Sequence, residues 1–192
     1  MRKALVALAA VTAAAAGFAV VHTADPAWYA RLRYPLEHEA IVRGHARNYS
    51  LDPALLAAVI YEESRFRADA RSRSGAIGLM QLLPSTARGI AARTGGSRFM
   101  VSDLYDPEIN VRYGSWYLRH LLRKYGDVET ALAAYNAGQS RVDEWRADGG
   151  GIRFDETRAY VDNVLAARRT YSRIYADELR PGESGPRSAR AS

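Results

Sequence analysis

The chain has 192 residues, 48% of them apolar and 25% charged, as in a globular domain with short appendages. Its lack of cysteine excludes a disulfide scaffold and a cysteine zinc site, and its 4 histidines form no metal-ligand pattern. The formal net charge of +6 suits many kinds of partner and assigns no function by itself. We therefore expect no metal and no cofactor.

Residues 1–24 predict an export signal or a membrane anchor. Arg2 and Lys3 precede an uncharged run over residues 4–21, which is typical of export segments. As a helix this run would extend about 27 Å, close to the thickness of a bilayer core, so an uncleaved anchor facing outward is one outcome. Small residues before Ala19 and at Ala24 equally suit cleavage, which would give a periplasmic or secreted protein, and an Ala-rich core helix is the remaining alternative.

Residues 25–35 are predicted to be a linker, residues 36–176 the folded domain and residues 177–192 a disordered tail. Inside the domain the apolar residues repeat with a helical period, and sustained strand alternation is absent. The predicted fold class is mainly α, preceded by the apolar signal or anchor helix.

Caps and breakers place the predicted helices along the chain. Asp followed by Pro is typical of an N-cap and a first helical residue, and Gly commonly ends a helix. Gly126 and Gly138 are two such ends. The predicted helices begin, in chain order, at Asp52-Pro53, after Pro84, at Asp106-Pro107, at Asp127 and near Asp155.

Glu63 has an unusual position on the first of these helices. At about 100° per residue, with Leu55 as zero, the apolar stripe is centred at about 60° and Glu63 lies at about 80°. A carboxyl withdrawn from water has a raised pKa and stays protonated near neutral pH, as a general acid must. The alternative is an ion pair or a loop cap inside the fold. Glu62 lies at the edge of the stripe and is expected to be solvated.

Several short runs recur in a fixed order along the domain. They are Glu63-Ser64-x-Phe66; Ser72-x-x-Gly75-Ala76-x-Gly78-Leu79-Met80-Gln81-Leu82-Leu83-Pro84-x-Thr86-Ala87; Asp106-Pro107 with Asn110, Gly114 and Tyr117; Ala133-Ala134-Tyr135-Asn136-Ala137-Gly138; and Glu156-Thr157-x-x-Tyr160-Val161. Their order and spacing, over about residues 50–165, resemble the lytic transglycosylase (SLT) domain of the soluble lytic transglycosylase family, which has a lysozyme-like fold.

The resemblance implies cleavage of the β-1,4 bond between N-acetylmuramic acid and N-acetylglucosamine in peptidoglycan, without water as nucleophile. Glu63 matches the family's catalytic acid. It would protonate the glycosidic oxygen and then, as a carboxylate, remove the proton from the muramic acid C6 hydroxyl, which closes a 1,6-anhydro ring. One residue would serve in turn as acid and base, unlike the pair of carboxylates in glycoside hydrolases.

The resemblance also implies which side chains contact substrate. Ser72 matches a hydroxyl that hydrogen-bonds the catalytic carboxyl, Gln81 an amide that meets the sugar, and Tyr135 a tyrosine that orients the glutamate. In isolation, Tyr135 would be assigned to the apolar stripe of its helix and Ser72 to a turn. The other implied substrate-binding residues are Asn136, the groove carboxylate Glu156, and the apolar groove residues Met80 and Leu83.

Two other functions stay open. A hydrolytic muramidase on the same fold would use Asp69, Asp103 or Asp106 to help activate water. A non-catalytic peptidoglycan-binding protein would keep only the groove. Nucleic-acid binding is not expected, since export is predicted and no nucleic-acid motif appears. The expected partners are peptidoglycan glycan strands and, if the N-terminal segment is uncleaved, the membrane; we expect a monomer.

Overall fold

The structure, a computed structural model, describes residues 2–3, 11–12 and 26–180. Most of the predicted signal or anchor over residues 1–24 therefore lies outside the described residues, as do residues 181–192 of the predicted tail. In the described part of the chain, no helix combines the length and the apolar character needed to cross a membrane.

The chain divides into two units, Met1–Pro35 and Leu36–Ser192. In the first unit, a helix of 7 residues, α1 (Ala27–Arg33), occupies most of the segment predicted as a linker. Its Trp28 and Leu32 side chains are exposed.

The second unit is built from helices. They are α2 (Glu39–Asn48), α3 (Pro53–Ser64), α4 (Pro84–Thr94), a 3-10 helix (Val101–Tyr105), α5 (Pro107–Tyr125), α6 (Val128–Ala137), α7 (Gln139–Ala147) and α8 (Asp155–Ile174). The described residues contain no strand, only isolated bridges that join Ile77 to Arg71 and to Leu82. The prediction of a mainly α fold is confirmed.

Local sequence explains where the predicted helices begin and end. The carboxylates of Asp52, Asp106 and Asp127 accept hydrogen bonds of 2.9, 3.0 and 2.7 Å from backbone N–H groups in the first turns of α3, α5 and α6. Each such cap stabilises its helix by about 1 kcal/mol. Gly126 ends α5 with a φ of 80°, a conformation that costs glycine little.

Two α-helices of this unit, α2 and α7, were not predicted, nor was the 3-10 helix. The buried apolar side chains are Val42 and Ala46 in α2, and Val142 and Trp145 in α7. The α7 sequence is mostly polar, so its helical period is hard to recognise, whereas α2 has a clear apolar face that was not assigned to a helix. The described start of the predicted tail, residues 177–180, forms a turn in which Leu179 is buried.

The core is organised around α3. Every side chain from Ala54 to Ile60 is buried, as expected for a helix that is covered on all sides. Its neighbours are α8 and α2, while α6 packs on α5, α7 and α8. Tyr171 of α8 is fully buried, with its ring 6.1 Å from that of Tyr61 and 6.3 Å from that of Phe66. The C-terminal end of α3, which carries Glu63, is thereby fixed against α8.

Candidate active site

Glu63 lies in the last turn of α3, directly before the chain turns away. Arg65 and Phe66 end the helix with φ angles of 54° and 61°, in the left-handed region that non-glycine residues seldom adopt. Phe66 is 2% exposed, so its burial offsets the cost of this conformation. The turn leaves the Glu63 side chain in a groove between α3, α6, α8 and the loop after α3.

Burial dominates the electrostatics of Glu63. It raises the pKa of the carboxyl from the usual 4.5 to about 7, a hydrogen bond from Tyr160 opposes the rise, and the charge of Glu62 adds to it. Near neutral pH the protonated and the charged forms of the carboxyl are then both populated. The direction is the one that its place on the apolar stripe predicted.

Glu62 differs from expectation. Its side chain is only 12% exposed, and its Oε1 lies 3.4 Å from Nη1 of Arg65. The guanidinium of Arg65 in turn lies 3.8 Å from the centroid of the Tyr61 ring. An arginine therefore pairs with Glu62, while Glu63 has no cation within ion-pair distance among the described residues.

Two tyrosines stand beside the Glu63 carboxyl. The Tyr160 hydroxyl donates to Glu63 Oε1 at 2.7 Å, and the Tyr135 hydroxyl donates to the Met80 carbonyl oxygen at 2.9 Å. The pKa of each hydroxyl is well above its usual value, first because of burial and then because of the Glu63 charge. Both tyrosines therefore stay neutral and remain hydrogen-bond donors.

The hydrogen bond from the Tyr160 hydroxyl to Glu63 was not predicted. From the sequence, Tyr160 is only a member of the run Glu156-Thr157-x-x-Tyr160-Val161 and has no role assigned to it. A signal was available, since Tyr160 follows Glu156 by one helical turn and so projects from the same side of α8.

Ser72 lines the groove with Glu63, but its hydrogen bonds lie elsewhere. Ser72 Oγ lies 2.8 Å from Ser74 Oγ and accepts a bond of 3.0 Å from the backbone N–H of Ala76. These contacts stabilise the turn at Gly75, whose φ is 85°. In this structure Tyr160, rather than Ser72, bonds the carboxyl.

Gln81 closes the loop between α3 and α4. It adopts a φ of 46°, and its Nε2 donates to the carbonyl oxygens of Gly78 at 2.9 Å and Ala70 at 3.2 Å. Both amide protons are used within the loop, so the Gln81 carbonyl oxygen is the atom left to accept from a ligand in the groove.

Asn110 of α5 binds the same loop through three hydrogen bonds. This residue is 1% exposed; its Oδ1 accepts from the Met80 N–H at 2.8 Å, and its Nδ2 donates to the carbonyl oxygens of Ile77 at 2.9 Å and Leu104 at 2.7 Å. A Cβ atom at Gly78 would overlap both Asn110 Nδ2 and the Leu104 oxygen, which explains the glycine. The loop that carries Gln81 is thus fixed to α5.

The two predicted apolar groove residues have different positions. Leu83 lines the groove and is 41% exposed. Met80 is fully buried against Gly114, where a Cβ would overlap its sulfur, and its side chain does not line the groove. Its carbonyl oxygen, which accepts from Tyr135, is its contribution to the site.

The opposite wall comes from α6 and α8. Asn136 Oδ1 accepts a hydrogen bond of 2.9 Å from Thr157 Oγ1, and Thr157 is buried, so the two helices are joined at the groove. Asn136 and Glu156 are exposed and line the groove.

The resulting cavity has a volume of about 480 Å³. Seven of the eight predicted site residues line it: Glu63, Ser72, Gln81, Leu83, Tyr135, Asn136 and Glu156. It is also lined by residues that were not predicted, among them Ser74, Thr86, Tyr117 and Arg141. The Tyr117 ring lies 5.4 Å from that of Tyr135.

The described residues hold no cluster of potential metal ligands. This open groove with one carboxyl of raised pKa suits acid–base chemistry.

Comparison with known proteins gives consistent matches. The family model described as the transglycosylase SLT domain matches residues 40–155. The soluble lytic murein transglycosylase of Salmonella typhimurium is 32% identical over 151 residues, which cover 70% of this chain and 23% of the relative. The membrane-bound lytic murein transglycosylase F of Cellvibrio japonicus is 33% identical over 163 residues, covering 79% of this chain and 31% of the relative.

Solved structures match the fold as well. The lytic transglycosylase Slt of Pseudomonas aeruginosa, crystallised as an inactive mutant with glutamine in place of a glutamate, superposes with a TM-score of 0.70 at 35% identity, covering 76% of this chain and 25% of that one. The lysozyme-like fold expected from the sequence is thereby confirmed. The chain spans about a quarter of the length of the first of these relatives.

Proposed function

The chain belongs to the transglycosylase SLT domain family, and we propose that it is a peptidoglycan lytic transglycosylase. It would cleave the β-1,4 bond between N-acetylmuramic acid and N-acetylglucosamine without water and leave 1,6-anhydro ends. The observation that carries the proposal is the Glu63 carboxyl, which has a pKa raised to about 7 and accepts from Tyr160 inside the groove.

Glu63 would act first as an acid. Its proton passes to the glycosidic oxygen as the bond from that oxygen to C1 of the muramic acid breaks. The carboxylate then takes the proton of the C6 hydroxyl, and the C6 oxygen forms a new bond to C1. The proton balance closes, because Glu63 ends the cycle protonated as it began. A pKa of about 7 suits both steps, since neither the proton nor the negative charge is held too strongly.

The tyrosines support the second role. The bond from Tyr160 stabilises the carboxylate form of Glu63 and fixes one of its oxygens. Tyr135, held by the Met80 carbonyl, would position the sugar ring next to the acid. Ser72, Gln81, Leu83, Asn136 and Glu156 would contact the glycan along the groove.

Hydrolysis on the same fold has less support. A muramidase that activates water needs a second carboxylate near the bond. Asp103 and Asp106 accept backbone N–H bonds at the starts of the 3-10 helix and α5, Asp69 is exposed, and none of the three lines the groove. A non-catalytic binding role has no use for a carboxyl of raised pKa.

The site of action would be the cell envelope, outside the cytoplasm. Residues 1–24 would serve as a signal or an outward-facing anchor, residues 25–35 as a linker, and residues 177–192, which begin with the turn at residues 177–180, as a C-terminal tail. The named relatives include one soluble and one membrane-bound transglycosylase, which is compatible both with cleavage of the N-terminal segment and with its retention as an anchor.

Mass spectrometry of the products tests the proposal. The full chain, purified in mild detergent, is incubated with peptidoglycan, and the released muropeptides are identified by mass. We expect fragments that end in anhydro-muramic acid, each lighter by one water than the hydrolytic product. Reducing ends without any anhydro product would identify a hydrolase, and the absence of new fragments would favour a binding protein.

A further inference from the structure

Arg141 lines the groove but takes no part in the proposed proton transfers. It lies in the first turn of α7, directly after the Asn136 wall of the groove. Among the described residues that line the groove, it is the one cation, and it faces a lining that carries two carboxyls, Glu63 and Glu156. A cation at the edge of an otherwise neutral or acidic groove can select an anionic group on the ligand.

The guanidinium of Arg141 is held in place by neighbouring groups. Its Nη1 donates to the Ala137 carbonyl oxygen at 3.2 Å, and its central carbon lies 5.6 Å from the centroid of the Phe154 ring. Phe154 itself packs edge-on against Trp145, which is buried, with ring centroids 5.0 Å apart. This support orients the flat face of the guanidinium and lowers the entropy lost when a ligand binds.

The remaining donors of Arg141 have no carboxylate partner. No carboxylate in the described part of the chain lies within 4 Å of its guanidinium. Nearby arginines differ, because Arg153 pairs with Asp148 at 2.7 Å and Arg158 pairs with Asp155. An arginine has five N–H donors, and Arg141 commits one of them, to Ala137.

We propose that Arg141 binds a carboxylate of the substrate at the edge of the Glu63 groove; this rests on the proposed function. A planar guanidinium matches a carboxylate with two parallel hydrogen bonds. Glycan strands of peptidoglycan present this group from two sources. The lactyl group of muramic acid ends in a free carboxylate when it bears no peptide, and peptide stems carry carboxylates of their own.

The contact is one of substrate binding, separate from the proton transfers. The pKa of Glu63 is set by burial, Tyr160 and Glu62. Loss of the Arg141 charge should therefore leave the pH dependence of the reaction in place and change only the affinity for the strand. This distinguishes Arg141 from a residue that acts through the catalytic carboxyl.

Binding measurements on a variant that is expected to be inactive test this inference. Full-length Glu63→Gln is titrated with strands that carry peptide stems, with strands stripped of stems, and with both kinds after their carboxyls have been converted to amides. The same titrations are made after adding Arg141→Gln, or Arg146→Gln as the matched control. Arg146 is exposed on the same helix but lies outside the groove lining.

We expect Arg141→Gln to weaken binding of carboxylate-bearing strands about tenfold, as loss of a charge-assisted pair does, and to leave amidated strands unaffected. A loss confined to stem-bearing strands assigns the carboxylate to the peptide, and a loss confined to stripped strands assigns it to the lactyl group. The control should bind every strand like its parent.

Equal affinities with and without Arg141, or an equal loss on amidated strands, would overturn the inference. Circular dichroism checks the fold of each variant, and we expect no change from the arginine substitutions because both side chains are exposed. The readout is binding, so a failure to find anhydro products would reject the proposed function without deciding the role of Arg141. Conversely, unchanged binding would reject the Arg141 contact while the anhydro products stand.

Discussion

The Tyr160 hydroxyl donates a hydrogen bond of 2.7 Å to Glu63 Oε1, although the two residues are 97 positions apart in the chain. The bond joins the last turn of α3 to α8. Burial raises the pKa of Glu63, and this hydrogen bond lowers it. Without the bond, the pKa of the carboxyl would be higher still. Packing of α3 on α8 therefore sets the chemistry of the site.

Replacing Tyr160 by Phe should raise the pKa of Glu63 further, because the hydrogen bond favours the charged form. In the unchanged protein, activity should fall as pH rises through about 7, where the acid form is lost. In Tyr160→Phe this fall should move to higher pH, and the rate at neutral pH should drop about tenfold because the carboxylate stage loses its donor. A pH–rate profile of anhydro product release measures both effects.

Tyr105→Phe is the matched control for that experiment. Tyr105 is 40% exposed and does not line the groove, so its profile should follow that of the unchanged protein. A Tyr160→Phe profile with an unshifted alkaline limb would contradict the role given to the hydrogen bond.

The raised pKa of Glu63 also has a consequence for stability. The folded state binds this proton more tightly than the unfolded state, so the stabilisation is complete below about pH 4.5 and is lost as pH rises through about 7. Glu63→Gln removes the titration. Its free energy of unfolding should equal that of the unchanged protein at about pH 4 and exceed it at about pH 8, by at most about 3 kcal/mol. Urea denaturation at the two pH values tests this, and an equal difference at both would contradict it.

The features of the site that depend on neighbouring residues in the sequence could be predicted, and those that depend on the packing of distant helices could not. The caps at Asp52 and Asp106 and the position of Glu63 on its helix depend on a few neighbouring residues, and the structure has them as predicted. The spacing of Tyr160 from Glu156 indicates the side of α8 from which it projects, but its contact with Glu63 depends on the packing of helices that are distant in sequence. Met80 was misplaced because its burial depends on Gly114 of α5, an approach visible only in three dimensions.

Asn110→Ala should loosen the loop that carries Gln81. The change leaves the Met80 N–H and two carbonyl oxygens without their buried partner, and we expect a loss of about 2–4 kcal/mol of unfolding free energy. Activity should fall as well, since the loop forms one wall of the groove. Asn163→Ala on the exposed side of α8 is the control, with an expected change within about 0.5 kcal/mol. Thermal unfolding of both variants measures the difference, and similar losses would argue against Asn110 as the anchor.

Substitutions at two glycines of the same loop would distinguish the cost of backbone strain from the cost of steric overlap. Gly75 and Gly78 have φ angles of 85° and 79°, but a Cβ at Gly75 meets nothing within 4 Å, whereas one at Gly78 overlaps Asn110. Gly75→Ala should cost about 1 kcal/mol from strain alone. Gly78→Ala should cost at least about 3 kcal/mol, because the overlap forces the loop away from α5. Comparable unfolding midpoints for the two variants would show that the loop can move away from α5 at little cost, and would contradict the tight contact between Gly78 and Asn110.

In the proposed reaction, Glu63 alone supplies and removes the proton. This role is tested most directly by muropeptide mass spectrometry of the unchanged protein, Glu63→Gln and Glu62→Gln on the same peptidoglycan. Glutamine keeps the shape of the side chain but can neither donate nor accept the proton. We expect anhydro-muramyl ends from the unchanged protein and from Glu62→Gln, and none from folded Glu63→Gln. Anhydro ends released by Glu63→Gln at an undiminished rate would contradict this role.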